Sequence, residues 1–371
     1  MPSGKQVFSN LKSEGQIEMS LQEVEVSNPK PHEVIVEVQC APINPSDMWP
    51  MFGPSDLSKA ELSDDKTSLT APVHPAMAAR FKSRLDQELA VGNEGAGVVV
   101  EAGDSPEAQS LLGKTVAILS GSAFANYSKV PLQMVLPHNE GVTAKQAAAS
   151  FVNPLTALGM VETMRMEGHS ALVHTAAASN LGQMLNKICQ SDGVDLVNIV
   201  RKDEQVAILE GLGAKYIVNS SADTYQKDLY KAIEASGATL AFDATGGGTL
   251  ASDILTAMEM VGSKDAVGLN TYGSTHSKQV YLYGGLDISP TVLNRAYGMT
   301  WGVGGWLLMQ FLMKAGPEKA MELRQRVADE INTTFASHFT DEISFEEMLT
   351  PEVIANYNAK RTGEKYCLIP N

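Results

Sequence analysis

Cysteine is scarce in this chain: 371 residues include only Cys40, Cys189 and Cys367, widely separated and with no C-x-x-C pair. That is too few for a four-cysteine zinc lobe, and isolated thiols suit a reducing, cytoplasmic setting better than a disulfide framework. Positive charge is also short. Lys and Arg number 28 against 43 Asp and Glu, a net charge of −15, which argues against nucleic acid or an anionic membrane as the main partner. Long hydrophobic runs are missing as well. The longest, 301–313, is brief and interrupted by glycines, so no transmembrane span is expected. The opening MPSGKQVFSNLKSEG lacks the apolar core of a secretory signal.

What is present is a globular α/β composition, 44% apolar with 31 glycines, and its length suggests two domains. The chain is organised around 171–202, ALVHTAAASNLGQMLNKICQSDGVDLVNIVRK. It reads as an apolar strand (171–175), a turn of small residues (176–182), a helix with Leu185 and Ile188 facing a sheet, and a second strand (196–200). This is a βαβ unit of about 30 residues. Small residues at its first turn let the backbone approach a pyrophosphate, which the helix N-terminus then holds. Of the G-x-G-x-x-G fingerprint only Gly182 survives, with Ala178 and Ser179 in glycine slots. An ordinary strand-to-helix turn therefore reads as well from these residues alone. Arg201 and Lys202 stand where an NAD site carries Asp or Glu. Two cations there suit the 2′-phosphate of NADP, and the competing assignment is a pair of solvated surface charges.

Ahead of this unit the chain reads mostly as strands, at 34–38, 98–101, 115–119 and 125–130, followed by a small-residue helix at 145–162. Behind it, helices (203–211, 225–235, 250–260) alternate with strands (216–218, 240–243, 280–283), which implies a doubly wound parallel sheet. A charged helix at 317–332 leads to a last strand at 366–369. The stretch 51–91 fits neither pattern. Residues 54–73 read as a polar loop, and Met77, Phe81, Leu85 and Leu89 recur as one face of a helix. That helix packs either on the surface or as a wall of the acceptor pocket, with Trp49 or Phe52 lining the pocket in the second case.

Six landmarks now fall in order. Asn44-Pro45-Ser46-Asp47, Gly92-Asn93-Glu94-Gly95-Ala96-Gly97-Val98 and Asn153-Pro154-Leu155-Thr156-Ala157 precede the βαβ unit. Leu212-Gly213-Ala214, Phe242-Asp243-Ala244-Thr245-Gly246-Gly247 and Gly284-Gly285 follow it. Together they resemble the medium-chain dehydrogenase/reductase superfamily, in its zinc-free quinone oxidoreductase and enoyl thioester reductase branches. The resemblance implies a GroES-like β-rich substrate domain (1–145, with an insertion at 51–91), a Rossmann NADP-binding domain (146–325), and a C-terminal segment (326–371) that returns to the first domain. Cofactor and substrate would meet between the two domains. The family's roles would place Asn44, Asn153 and Thr156 near the nicotinamide and its ribose, and Ala178, Ser179, Asn180 and Gly182 at the pyrophosphate. Gly284 and Gly285 would serve the carboxamide, and Arg361 and Lys365 of the tail would approach the cofactor.

Zinc-dependent relatives carry Cys near the position of Asn44 and His at that of Asn93; a neutral amide is a poor zinc ligand, so no metal is expected. His169 and His174, the only close histidine pair, flank a strand and suit a structural role. Many relatives also carry a Tyr shortly after N-P-S-D that can give a proton, whereas no Tyr lies between Asn44 and Gly97. Asn44, Ser55 and Tyr283 are the remaining catalytic candidates. The resemblance implies an NADPH-dependent reductase of a quinone or an α,β-unsaturated carbonyl, a small electrophilic acceptor, and a homodimer. Two rivals stand beside it, an enoyl thioester reductase and a non-catalytic, crystallin-like NADPH-binding protein.

Overall fold

No strand is expected before residue 34, yet the chain opens with two. Ser3–Lys12 and Gln16–Glu25 form an antiparallel hairpin turned at Gly15, whose φ of 89° suits glycine. Val7, Leu11, Ile17 and Met19 are fully buried on its inner face. The computed structural model describes residues 1–370 except 75, 76, 78, 269 and 270. The chain divides into two compact units, Met1–Val152 with Arg324–Asn371, and Asn153–Leu323.

In the first unit the opening hairpin is the centre of an antiparallel sheet. Its other strands, Glu61–Leu62, Ser68–Pro72 and Glu88–Ala90, all come from 51–91. The expected polar loop at 54–73 is thus partly strand. The expected helix that follows is also corrected. Part of it, at 75, 76 and 78, lies outside the described residues. Beyond these, Ala79–Arg84 is a 3-10 segment broken at Phe81 (φ −113°, ψ 39°). Asp86 then turns at φ 57° and donates its N–H to the Leu11 carbonyl at 2.8 Å. A continuous helix through Leu89 would forfeit the pairing of 88–90 with Phe8, Ser9 and Asn10. Met77, Phe81 and Leu85 still pack against Leu11, Ile17, Ala71 and Val73, while Leu89 is exposed. Phe52 lies in the main core, 6.4 Å from the Tyr357 ring; Trp49 is exposed and meets Phe81 edge-on at 5.3 Å.

The second sheet of this unit is built around Glu33–Pro42, which pairs with Glu94–Ala102, Tyr127–Pro131 and Tyr366–Leu368. The tail strand sits antiparallel, with Leu368 opposite Ala41 and Cys367 opposite Pro42. The helix expected at 145–162 is two helices, Ala144–Ala147 and Val152–Met166. The break falls where the backbone N–H groups of Phe151 and Val152 turn to the Glu94 carboxylate.

The second unit holds a six-stranded parallel sheet in the order Tyr216–Asn219, Asp195–Val200, Ala171–Thr175, Leu240–Asp243, Lys278–Leu282, Trp301–Gly305. Its strands are near-continuous apolar runs, as a sheet covered on both faces requires. Leaving 171–175, the order runs outward in one direction through the next two strands and in the other through the last three. Residues 171–175 and 240–243 therefore flank a topological switch point. Among the described residues, no helix is long and apolar enough to cross a membrane.

Replacing Phe81 and Leu85 together by serine is expected to destabilise the protein by roughly 2–4 kcal/mol, since both half-buried side chains leave a small apolar cluster. A urea midpoint equal to wild type would show that neither contributes packing.

Candidate functional site

In the parallel unit the turn after strand 171–175 departs from glycine chemistry in a definable way. Ala176 takes φ 51°, a left-handed conformation usually left to glycine. Ser179 caps the helix Asn180–Asp192, its Oγ accepting the Gly182 N–H at 3.2 Å. Gly182 is a glycine this turn cannot give up, because a Cβ there would lie 2.1 Å from the Ala177 carbonyl oxygen. Ala178 is buried beneath the turn. A 13-residue helix pointing its N-terminus from such a turn fits an anionic pyrophosphate. Arg201 and Lys202 follow strand 195–200 at the same edge of the sheet, with both side chains exposed.

The neighbouring strands end in a polar lattice. Asp243 accepts the Thr175 hydroxyl (2.7 Å) and the Thr245 N–H (2.8 Å), while Thr175 Oγ1 accepts the Ala244 N–H (2.8 Å). Gly284 approaches the Ala244 carbonyl so closely that a Cβ would sit 2.6 Å from it, and Gly285 beside it is exposed and unobstructed. Tyr283 OH shares a 2.7 Å hydrogen bond with Nε2 of His174, which is fully buried in the central strand. Burial pushes the imidazole down to about 3 and the phenol well up, so the pair stays neutral. Tyr283 thus turns its hydroxyl into the sheet. Asn153, half-buried, and Thr156, buried, lie near the start of the helix Val152–Met166.

In the β-rich unit the candidates part company. Asn44 is buried and central to a network: its N–H donates to Asp47 Oδ2 (2.8 Å) and its Nδ2 to Glu94 Oε1 (2.9 Å). Asp47 Oδ1 accepts the Asn93 N–H (2.8 Å), and Glu94 Oε2 accepts the N–H groups of Phe151 and Val152 (2.9 Å each). Lys365 is buried, and its charge faces Glu94, Cys40, Cys367 and Asp47. Arg361 is exposed and pairs with Glu364 at 3.4 Å. Ser55 stands elsewhere, bridged to Val73, and its buried hydroxyl has no partner among the described residues.

No family model matches the chain. It is 28% identical over 229 residues to the mitochondrial enoyl-[acyl-carrier-protein] reductase of Xenopus tropicalis, a match covering 57% of this chain and 56% of that one. Its fold matches a quinone oxidoreductase of Pseudomonas syringae (TM-score 0.69, 17% identity, 99% of this chain and 100% of the other). It also matches the Etr1p complex with NADP and crotonyl-CoA (TM-score 0.64, 18% identity, 100% of both chains). The chain spans about half the length of the curated relatives it matches. It shares its fold with solved quinone reductases and enoyl reductases. The curated relatives it matches include a prostaglandin reductase-3, an enoyl-[acyl-carrier-protein] reductase and a probable quinone oxidoreductase.

The two positions for which zinc ligands were considered from the sequence are closed by amide hydrogen bonds, Asn44 to Glu94 and Asn93 Nδ2 to Ser46 Oγ (3.0 Å). Among the described residues no group of three or more His, Cys, Asp and Glu is placed to hold a metal ion. Asp47 and Glu94 lie inside motifs quoted from the sequence, but their partnership with Lys365 spans some 270–320 residues and leaves no local signal. His174 was legible only as half of a close histidine pair; its partner is Tyr283 rather than His169.

Burial raises the Asp47 carboxyl to about 7, against the opposing pull of the Asn44 and Asn93 N–H groups. The unfolded chain releases this proton near about 4. Between those pH values the folded state therefore holds more protons than the unfolded one, and stability falls as pH rises. Asp47→Asn removes this term. The stability difference between wild type and variant should shift against wild type by roughly 2–4 kcal/mol from pH 4 to pH 7, measured by urea unfolding. A difference that does not change with pH would mean Asp47 is ionised throughout.

Proposed function

We propose that the protein is an NADPH-dependent, metal-independent reductase of small electrophilic acceptors, a quinone or the β-carbon of an α,β-unsaturated carbonyl. The observation that carries the reading is the parallel unit's switch point, where the Gly182 turn and the Arg201-Lys202 pair share one edge of the sheet. Bound there, the cofactor would supply a hydride; the chain's part is to bind, orient and exclude water. The Ala178–Gly182 turn and the helix N-terminus hold the pyrophosphate, and Asn180 lies in its first turn. Arg201 and Lys202 hold the 2′-phosphate. Gly284 and Gly285 offer close backbone approach to the carboxamide, with Tyr283 and His174 fixing the strand end beneath them. Asn153 and Thr156 of the same unit would serve the nicotinamide end.

Quinone reduction is favoured over enoyl thioester reduction because no Tyr follows Asn44-Pro45-Ser46-Asp47, and a hydroquinone can draw its protons from water. The likeness to an enoyl-[acyl-carrier-protein] reductase keeps acyl thioesters in the test panel. A second copy of this chain is the proposed partner at the open edge of the parallel sheet. There, among the described residues, Trp301–Gly305 pairs on one side only, and Met299, Leu307 and Met313 stand exposed.

NADPH oxidation against a panel of quinones, enones and acyl thioesters tests the activity, and absence of turnover with every class would overturn it. Neutralising both Arg201 and Lys202 is expected to weaken NADPH by about tenfold or more per residue, from roughly 1.5–3 kcal/mol for each charge-assisted contact, with NADH nearly unchanged. Equal wild-type affinity for the two cofactors would sink the phosphate assignment. Full turnover is expected to survive exhaustive chelation; zinc lost in step with activity would refute metal independence.

A further inference from the structure

The two cations assigned to the 2′-phosphate are followed at once by two acids, Asp203 and Glu204. Near the end of the second strand of a dinucleotide fold, an acid accepts the ribose 2′-hydroxyl of NAD; beside a 2′-phosphate it repels. Arg201 and Lys202 on one side and Asp203 on the other thus pull cofactor choice in opposite directions. Among the described residues, Asp203 forms no ion pair with either neighbouring cation, so both positive charges stay open to a ligand.

Asp203 is held elsewhere. It opens the helix Asp203–Gly211, whose N-cap, Lys202, makes no side-chain bond to the first-turn N–H groups. An untied Asp203 carboxylate would be drawn to that positive helix end or to the two cations beside it. Asn219, the last residue of strand Tyr216–Asn219, restrains it by donating from Nδ2 to Asp203 Oδ1 at 2.8 Å. The amide is itself fixed in orientation, because its Oδ1 accepts the Ser221 N–H at 3.0 Å. The loop around it is fastened at two more points. Ser220 donates its N–H (2.7 Å) and its hydroxyl (3.0 Å) to the Val200 carbonyl, and the Arg201 N–H donates to Gln205 Oε1 (3.0 Å). Arg201, Lys202 and Asp203 are all exposed, so hydrogen bonds rather than burial set where they stand. Every one of these residues belongs to the parallel unit.

We infer that Asn219 is a specificity-determining residue: by holding the Asp203 carboxylate it keeps that acid off the ribose 2′ position and favours a 2′-phosphate over a 2′-hydroxyl. Asn219 acts through Asp203, which makes it a positioning residue. The inference rests on the assignment of Arg201 and Lys202 to the phosphate. With the amide in place, Arg201 and Lys202 face a ligand without Asp203 opposing them. Without it, the same carboxylate is free both to repel a phosphate and to accept a hydrogen bond from a ribose hydroxyl. Both effects move cofactor choice in one direction, toward NADH. The competing role for the bond is a staple between helix and strand, with no bearing on the ligand.

The test measures binding rather than turnover, with two probes that lack the nicotinamide. Adenosine 2′,5′-bisphosphate carries the 2′-phosphate, and adenosine 5′-monophosphate carries a hydroxyl there. Both are titrated calorimetrically into the full chain as wild type, Asn219→Ala, Asp203→Asn and the double variant. Asn219→Ala is expected to lower the preference for the bisphosphate by about threefold to tenfold, the scale of one net hydrogen bond. Asp203→Asn alone should not lower it, and the double variant should regain the wild-type preference, because the released group no longer carries a charge. An unchanged preference in Asn219→Ala overturns the inference. A loss that the double variant does not recover overturns it too, since Asn219 would then act as a staple and not through the acid. Should Asn219→Ala fail to fold, Asn219→Ser is read by the same comparison, with and without Asp203→Asn; serine keeps an acceptor for the Ser221 N–H and removes the amide donor. Equal wild-type affinity for the two probes overturns the phosphate assignment itself, a result in hand before any variant is compared.

Discussion

The Glu94 carboxylate is the constraint on which the β-rich unit is arranged. It has no exposure to water, yet its two oxygens collect three neutral donors from two distant parts of the chain. Asn44 comes from the turn after strand Glu33–Pro42, while Phe151 and Val152 are the backbone at which the helix Val152–Met166 starts. A carboxylate at a helix N-terminus completes N–H groups that would otherwise lack acceptors and meets the positive end of the helix dipole. Removing the Asn44 amide would leave the buried Oε1 unsatisfied, whereas Oε2 is held by two donors. The break after Ala147 in an otherwise helix-forming stretch follows: the backbone leaves the helix so that two N–H groups can reach one acid.

The parallel unit meets a different requirement with less side-chain chemistry. A dinucleotide turn needs a left-handed residue, a capped helix and one position without a Cβ. Ala176, Ser179 and Gly182 each supply one of these. Alanine at φ 51° is strained by comparison with glycine, and the surrounding sheet must hold it there. The fingerprint is therefore degraded in letters but largely retained in geometry. Only the third requirement is absolute, since nothing but glycine clears the Ala177 carbonyl.

This explains what could be read from the sequence and what could not. Buried parallel strands such as Ala171–Thr175 and Leu240–Asp243 announce themselves as apolar runs between helices of clear period, and five of the six strands of that sheet were read so; the sixth, Trp301–Gly305, carries three glycines and was missed. The opening hairpin alternates polar and apolar residues weakly, SGKQVFSNLK against QIEMSLQEVE, and stays invisible until its two strands pair. The 77/81/85/89 stripe misleads for a physical reason. Four-residue spacing is compatible with a helix, but residues 88–90 gain a sheet edge beside Phe8–Asn10, and backbone pairing there outweighs one more helical turn. Asn44, Gly182 and Gly284 could be singled out because they sit inside short motifs. The Lys365 environment was not legible, because Glu94, Asp47 and Cys40 come from far along the chain.

The two units thus hold their polar groups differently. In the parallel unit, Arg201 and Lys202 are exposed and the turn before them is closed by backbone and a serine cap. In the β-rich unit the polar groups of Asn44, Asp47 and Glu94 are buried and their orientations fixed by hydrogen bonds. Asn44 and Asn93 fit this arrangement: each side-chain amide closes the network through a hydrogen bond and adds no charge of its own.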